Sequence, residues 1–212
     1  MRTNPYDIYT TTKNISMTLD HSIKAAVDAG GLGSYFVFFF IIFLGCAFIF
    51  LAWLPSDVLI FLCGSLANSG HMNILMVIIA GSAAAFLGNQ LKYKMAFHHQ
   101  QRNPNHHVKL NDKWAATYFK RNKDGSVVTG NLIPVVGNLI PMIAGYNRMN
   151  FQRFTKDNIK GTFLWIIIFT MMGFISNNIP IIEHNMVISS LIVSLLVGLL
   201  YRLIEKIIVK FK

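Results

Sequence analysis

From residue 34 onward, apolar positions along this chain fall mostly into long runs rather than alternating ones. Residues 34–54 are uncharged and mostly Phe, Ile and Leu. A helix needs about 20 such residues to cross a hydrocarbon core. Trp53 suits the far interface and Pro55 stops the helix. Residues 57–70, DVLIFLCGSLANSG, are apolar but too short to span, start with an acid and end in turn residues. They predict a re-entrant or broken helix. Residues 71–91 resume as a spanning helix, whose Ala80, Gly81, Ala83, Ala84, Ala85 and Gly88 let another helix approach closely.

Residues 92–125 are polar, carry eight Lys and Arg, and include the patch HHQQRNPNHH. Trp114, Tyr118 and Phe119 read as the apolar side of a surface helix there. Residues 130–145, GNLIPVVGNLIPMIAG, repeat GNLIP at a spacing of seven. With Pro134, Pro141, Gly130, Gly137 and Gly145 this run cannot be one straight helix. Non-helical backbone at membrane depth persists only where protein buries it or it lines a wet cavity, so a second re-entrant element is predicted. Residues 148–160 read as a basic connector, 161–182 and 186–201 as two further spans, and 206–212 as a basic tail. At the other end, residues 1–33 are polar and lack a signal-peptide pattern. Ile15, Leu19, Ile23, Ala26 and Val27 recur at helical spacing, as in an amphipathic helix on a membrane surface, broken by Gly30, Gly31 and Gly33. The membrane domain is therefore placed at 34–205.

Composition sharpens this. The chain is 53% hydrophobic and 13% charged, about half the usual charged share. That excludes disorder. Two cysteines exclude a disulfide scaffold, and Cys46 and Cys63, both in apolar runs, read as small buried hydrophobes. The net charge is +10 with 19 Lys and Arg. No nucleic-acid motif accompanies it, so the charge reads as topogenic and lipid-facing. With both termini in the cytoplasm and both short elements re-entrant, all 19 basic residues lie inside. Only Asp57, His71, Glu183 and His184 then ionise outside. The expected fold is an all-α membrane protein: an inverted repeat of two opposed re-entrant hairpins plus about four transmembrane helices, a transporter plan. No nucleophile elbow, P-loop or HExxH is present, so neither an enzyme nor a cofactor is expected.

Candidate residues follow. Asp57 reads either as an N-cap with Ser56 or as a functional acid within the membrane. Asn131 and Asn138, about two helical turns apart, either face a lipid headgroup in one cavity or satisfy carbonyls freed by Pro134 and Pro141. Arg148 and Arg153, with Lys156 and Lys160, gather anionic headgroups or set topology. His98, His99, His106 and His107 lack acidic or Cys company and read as a polar loop; Trp165 reads as packing.

LPSDVLIFLCGSLANSG followed by AFLGNQLKYKMAF resembles the first half of the DedA family, also called the VTT or SNARE-associated family. GNLIPVVGNLIPMIAGYNRMNFQRFTKDNIKGTFLWIIIFTMMGF resembles its second half, and the likeness covers roughly residues 33–210. It implies a multi-pass bacterial inner-membrane protein that moves lipids between leaflets: polyprenyl-phosphate carriers, phosphatidylethanolamine or scrambled phospholipids. Some members depend on proton motive force. The partners implied are membrane lipids with anionic headgroups, polyprenyl phosphate among them, and further copies of the chain. The alternatives are a proton-coupled solute transporter and a non-transporting assembly factor. The family's acid after the first Pro motif is Asp57 here. Its first-helix Glu is Gly45, its acid after the second helix's Gly is Asn89, and its two hairpin arginines are Asn131 and Gly137.

Overall fold

The computed structural model describes residues 17–18, 21–29, 31–51, 56–102, 126–132 and 136–176. The readings made for Ile15, Leu19, Gly30, Trp53, Pro55, His106, His107, Trp114, Tyr118, Phe119, Pro134, the span 186–201 and the basic tail lie outside them. Among the described residues every regular element is helical. In order they are α1 (His21–Ala29), α2 (Leu32–Ala47), a 3₁₀ turn (Ile49–Leu51), α3 (Ser56–Asn68), α4 (Ile74–Arg102), α5 (Ser126–Gly130), α6 (Val136–Tyr146) and α7 (Phe151–Ser176).

The chain is an all-α membrane protein. Both α4, with 29 residues, and α7, with 26, are long and apolar enough to cross a bilayer. At 1.5 Å per residue they are about 43 and 39 Å long. The distribution of side chains agrees. Phe36 and Leu75 are each 66% exposed, while Ser65, Asn158 and Thr170 are wholly buried. Large apolar side chains are exposed on the outside while several polar ones are buried, as hydrocarbon surroundings favour.

Four boundaries differ from those expected. Within the run 34–54, the helix α2 ends at Ala47 and a 3₁₀ turn follows, where Leu51 N–H bonds Phe48 O at 3.2 Å. The i→i+3 bond takes Ile49–Leu51 out of the α-helix. The break before it comes at Gly31 (φ 47), and Gly33 lies inside α2. Next, α4 does not stop at Leu91 but runs on through Lys92 to Arg102. Gln90, Leu91, Lys92, Lys94, Met95 and Ala96 are all good helix formers, and nothing breaks the ladder. Residues 151–160, expected as connector, are the first turns of α7. Asn150 Oδ1 starts that helix by accepting from the backbone N–H groups of Gln152 (3.0 Å) and Arg153 (3.2 Å). Finally, Pro141 does not break α6, which continues through it. One missing backbone bond costs about 3 kcal/mol; burial of Ile140, Ile143 and Ala144 on the same helix offsets it.

Two compact units contain the described elements. The first comprises Met1–Val37, Asp57–Ile78 and Ile168–Lys212, the second Phe38–Ser56 and Ile79–Ile167. In the first, α3 packs on the end of α7 through a reciprocal glycine contact. A Cβ on Gly64 would strike the Thr170 carbonyl, and one on Gly173 the Phe61 carbonyl. α3 ends at Gly70 (φ 81), with His71 N–H bonding Leu66 O at 3.0 Å and Gly70 N–H bonding Ala67 O at 3.3 Å. This is a Schellman cap. His71 Nδ1 lies 2.7 Å from Asp28 Oδ1.

In the second unit, α2 lies close on α4 at Gly88, where a Cβ would sit 2.7 Å from the Phe43 carbonyl oxygen. The small residues of α4 thus do what their pattern predicts. The helices α5 and α6 pack against each other: a Cβ on Gly130 would sit 2.7 Å from Ile140 Cγ1, and one on Gly137 2.9 Å from Gly130 O. Residues 130 and 137 are neighbours only because the chain doubles back between them.

Candidate functional site

The functional candidate is a polar seam inside the second unit, built on consecutive turns of α4 and α7. Asn89 Nδ2 donates to Asn158 Oδ1 at 3.1 Å. Asn158 Nδ2 donates to the Phe86 carbonyl at 3.2 Å. One position along, Gln90 Nε2 donates to Thr155 Oγ1 at 2.8 Å. Thr162 Oγ1 returns to Asn158 O at 2.7 Å. Buried amides are costly unless bonded, and here the bonds run between two membrane-crossing helices. Each such bond contributes about 0.6 kcal/mol on average in a membrane.

The seam ends in a cation. Lys92 is only 4% exposed. Its Nζ donates to Asn138 Oδ1 at 2.9 Å and to Asn138 O at 3.0 Å. Both partners are neutral oxygens on one residue. Pro141, lacking an N–H, leaves the preceding turn of α6 a donor short, and Lys92 bonds within that turn. Asn131, against Gly137 of the same hairpin, is buried, and its Nδ2 has no hydrogen-bond partner among the described residues. That nitrogen lies against α7, 2.7 Å from where a Cβ on Gly161 would be. So Asn131 and Asn138 are not two turns apart on one helix. Asn131 follows α5 and Asn138 lies in the first turns of α6, on either side of the break.

The other candidates are placed separately. Asp57 is half-buried in the first turn of α3 and belongs to the first unit. Ser56 Oγ is buried without a hydrogen-bond partner among the described residues and lies 3.0 Å from where a Cβ on Gly45 would sit. Gly137, where the resembled family carries arginine, has backbone oxygens of Gly130 and Asn131 within 3.2 Å of its Cβ position. A side chain there would force α5 and α6 apart. Arg148 is exposed after α6, with a φ of 52°. Arg153 is exposed in the first turn of α7, as are Lys156 and Lys160 farther along it. His98 and His99 are helical residues of α4 rather than loop, and Trp165 is buried.

Sequence reading missed Lys92, assigning it to a polar segment. The signal was the small-residue stripe of α4: Ala85 and Gly88, followed four residues on by Lys92 and then Ala96. All four positions are buried.

The VTT domain family matches residues 54–175, from the residues before α3 to the end of α7. The chain belongs to the DedA family of VTT-domain membrane proteins. Protein DedA of Escherichia coli strain K12 is 24% identical over 175 residues, 79% of this chain and 80% of that one. Inner membrane protein YqjA of the same strain is 28% identical over 165 residues, 69% of each. Undecaprenyl phosphate transporter A of Staphylococcus aureus strain NCTC 8325 / PS 47 is 25% identical over 129 residues, 56% of this chain and 64% of that one. No solved structure matches the chain. As a DedA-family member it shares its fold region with proteins named for the inner membrane and for transport.

Proposed function

We propose that this DedA-family protein translocates phosphate-bearing lipids across the cytoplasmic membrane, its termini on the cytoplasmic side. The observation that carries the reading is Lys92: a buried side-chain cation, inside a membrane domain, whose hydrogen bonds among the described residues go to neutral oxygens of Asn138. Such a group is costly without an anion, and a lipid phosphate supplies one. The Asn131 amide nitrogen, without a partner among the described residues of the same hairpin, offers further donors. The acyl or prenyl tail would stay in lipid while the headgroup passed the amide seam. α3, with 13 residues, and α6, with 11, are too short to span, and we read each as re-entrant. A lysine reaching the hairpin from α4 stands in for the family arginines that Asn131 and Gly137 replace.

The test is lipid movement in liposomes of reconstituted protein, followed with labelled polyprenyl phosphate and phosphatidylglycerol. Wild-type protein should exceed empty vesicles, and Lys92→Met should slow phosphate lipids at least about tenfold, as loss of one buried charge contact would. Wild-type rates equal to empty vesicles for both lipids would overturn the proposal. Proton-coupled solute transport is the alternative. It would show as flux that follows a pH gradient and vanishes in Asp57→Asn.

A further inference from the structure

Where the apolar run of α4 gives way to charge, a groove of about 530 Å³ opens between α4 and the connector after α6. Tyr93, Lys94, Phe97 and His98 form one wall, and Arg148 and Phe151 stand opposite. Its volume is that of a small-ligand pocket. No lining residue is acidic.

The floor is an aromatic stack. Tyr93 lies 4.3 Å from Phe154, 5.8 Å from Phe97 and 5.9 Å from Phe151, ring centre to ring centre. The Tyr93 hydroxyl donates to the Met149 carbonyl, which ties the connector down. The rim is cationic. Lys94 Nζ stands 5.3 Å over the Phe151 ring, and Arg148 Nη2 donates to the Gln100 carbonyl at 3.3 Å. An aromatic floor under basic side chains suits an amphiphile with an anionic head.

Arg148 carries the argument further. Its φ of 52° is in the left-handed region that L-residues rarely adopt. Met149 N–H bonds Ala144 O and Arg148 N–H bonds Gly145 O, each at 3.0 Å. α6 therefore ends in a Schellman cap with Arg148 in the slot that glycine fills by preference. α3 ends in the same cap with Gly70 in that slot. An arginine held in a glycine conformation, at the rim of a cationic groove, is the kind of outlier found at ligand clamps.

We infer that this groove docks the phosphate headgroup of an anionic glycerophospholipid. Lys94 and Arg148 take the phosphate oxygens, and the first acyl carbons rest on Phe97 and Phe151. Lys94 follows Leu91, the last residue of the α4 apolar run, by three positions. The groove thus lies at the level where a leaflet carries its headgroups. The docking goes beyond translocation, because it would persist in a protein that moved no lipid, and its test needs no flux.

Binding of dioleoyl phosphatidylglycerol and of dioleoyl phosphatidylcholine to the full chain in detergent is measured by native mass spectrometry. The anionic lipid should bind at least about tenfold more tightly, and Arg148→Gly and Lys94→Gln should each weaken it about fivefold, the effect of one basic side chain at an anionic surface. Arg148→Gly should also keep or raise the thermal midpoint, since glycine fits the φ. Should Arg148→Gly fold poorly, the exposed Lys94→Gln decides alone. Unchanged phosphatidylglycerol binding in these variants, or equal binding of phosphatidylcholine, overturns the inference. Inorganic phosphate binding at the affinity of phosphatidylglycerol would also overturn it, by making the site one for free phosphate.

Discussion

Lys92 and Asn138 form the interaction that most needs an energetic account. Two hydrogen bonds to one amide residue are what hold a buried amino group. Hydrogen bonds to a charged group contribute about 1.5–3 kcal/mol each. Asn138→Leu removes the side-chain acceptor and leaves the cation buried, so it should destabilise the protein by about that amount. Lys92→Met removes the cation with its cost and keeps the stem, so its loss should be smaller. Unfolding in detergent, read by circular dichroism, orders the two. Arg148→Gly should act oppositely and raise stability by up to about 1 kcal/mol, because glycine adopts φ 52° without strain. Of the candidate residues, Asn131 and Asn138 were readable because amides beside prolines in an apolar run stand out. Lys92 was not, since a lysine at the end of a hydrophobic run is ordinarily topogenic. Tertiary packing on α4, with Asn138 of α6 at its amino group, is what buries it.

At the scale of elements, run length located two spans and the short helices but not their ends, and α2 is shorter than the span expected over 34–54. The two long helices are there, as are the short ones over 56–68 and 136–146. Their boundaries depend on caps, and a cap is one residue's side chain meeting a backbone that has already turned. Asn73 and Asn150 begin α4 and α7, yet in sequence each is one more polar residue in a connector. Pro141 misled in the other direction, because the burial that offsets its lost bond comes from tertiary packing. Close helix contacts were readable from small residues. Gly88→Leu should push α2 from α4 and destabilise by at least about 1–3 kcal/mol. The Asn89–Asn158 bond between α4 and α7 should show a coupling of about 0.6 kcal/mol, and no more than about 1.7, in a double-mutant cycle with alanine. Zero coupling would mean that the seam is not held by its amides.

At the scale of the whole molecule, exposed phenylalanines and buried amides make the described structure a membrane domain, as the match to the VTT domain also does. The proposed transport depends on a chain that enters the bilayer at α5 and leaves by the same face at α6. The doubling back at residues 130 and 137 supports that path. Single cysteines decide it. Ser126→Cys and Asn147→Cys would be placed in a chain whose Cys46 and Cys63 are changed to alanine, and probed in oriented vesicles with an impermeant maleimide. Both should react from one side, the side from which Lys109→Cys, in the loop read as cytoplasmic, also reacts. Reaction from opposite sides would make α5 and α6 parts of one crossing and remove the hairpin on which lipid passage rests.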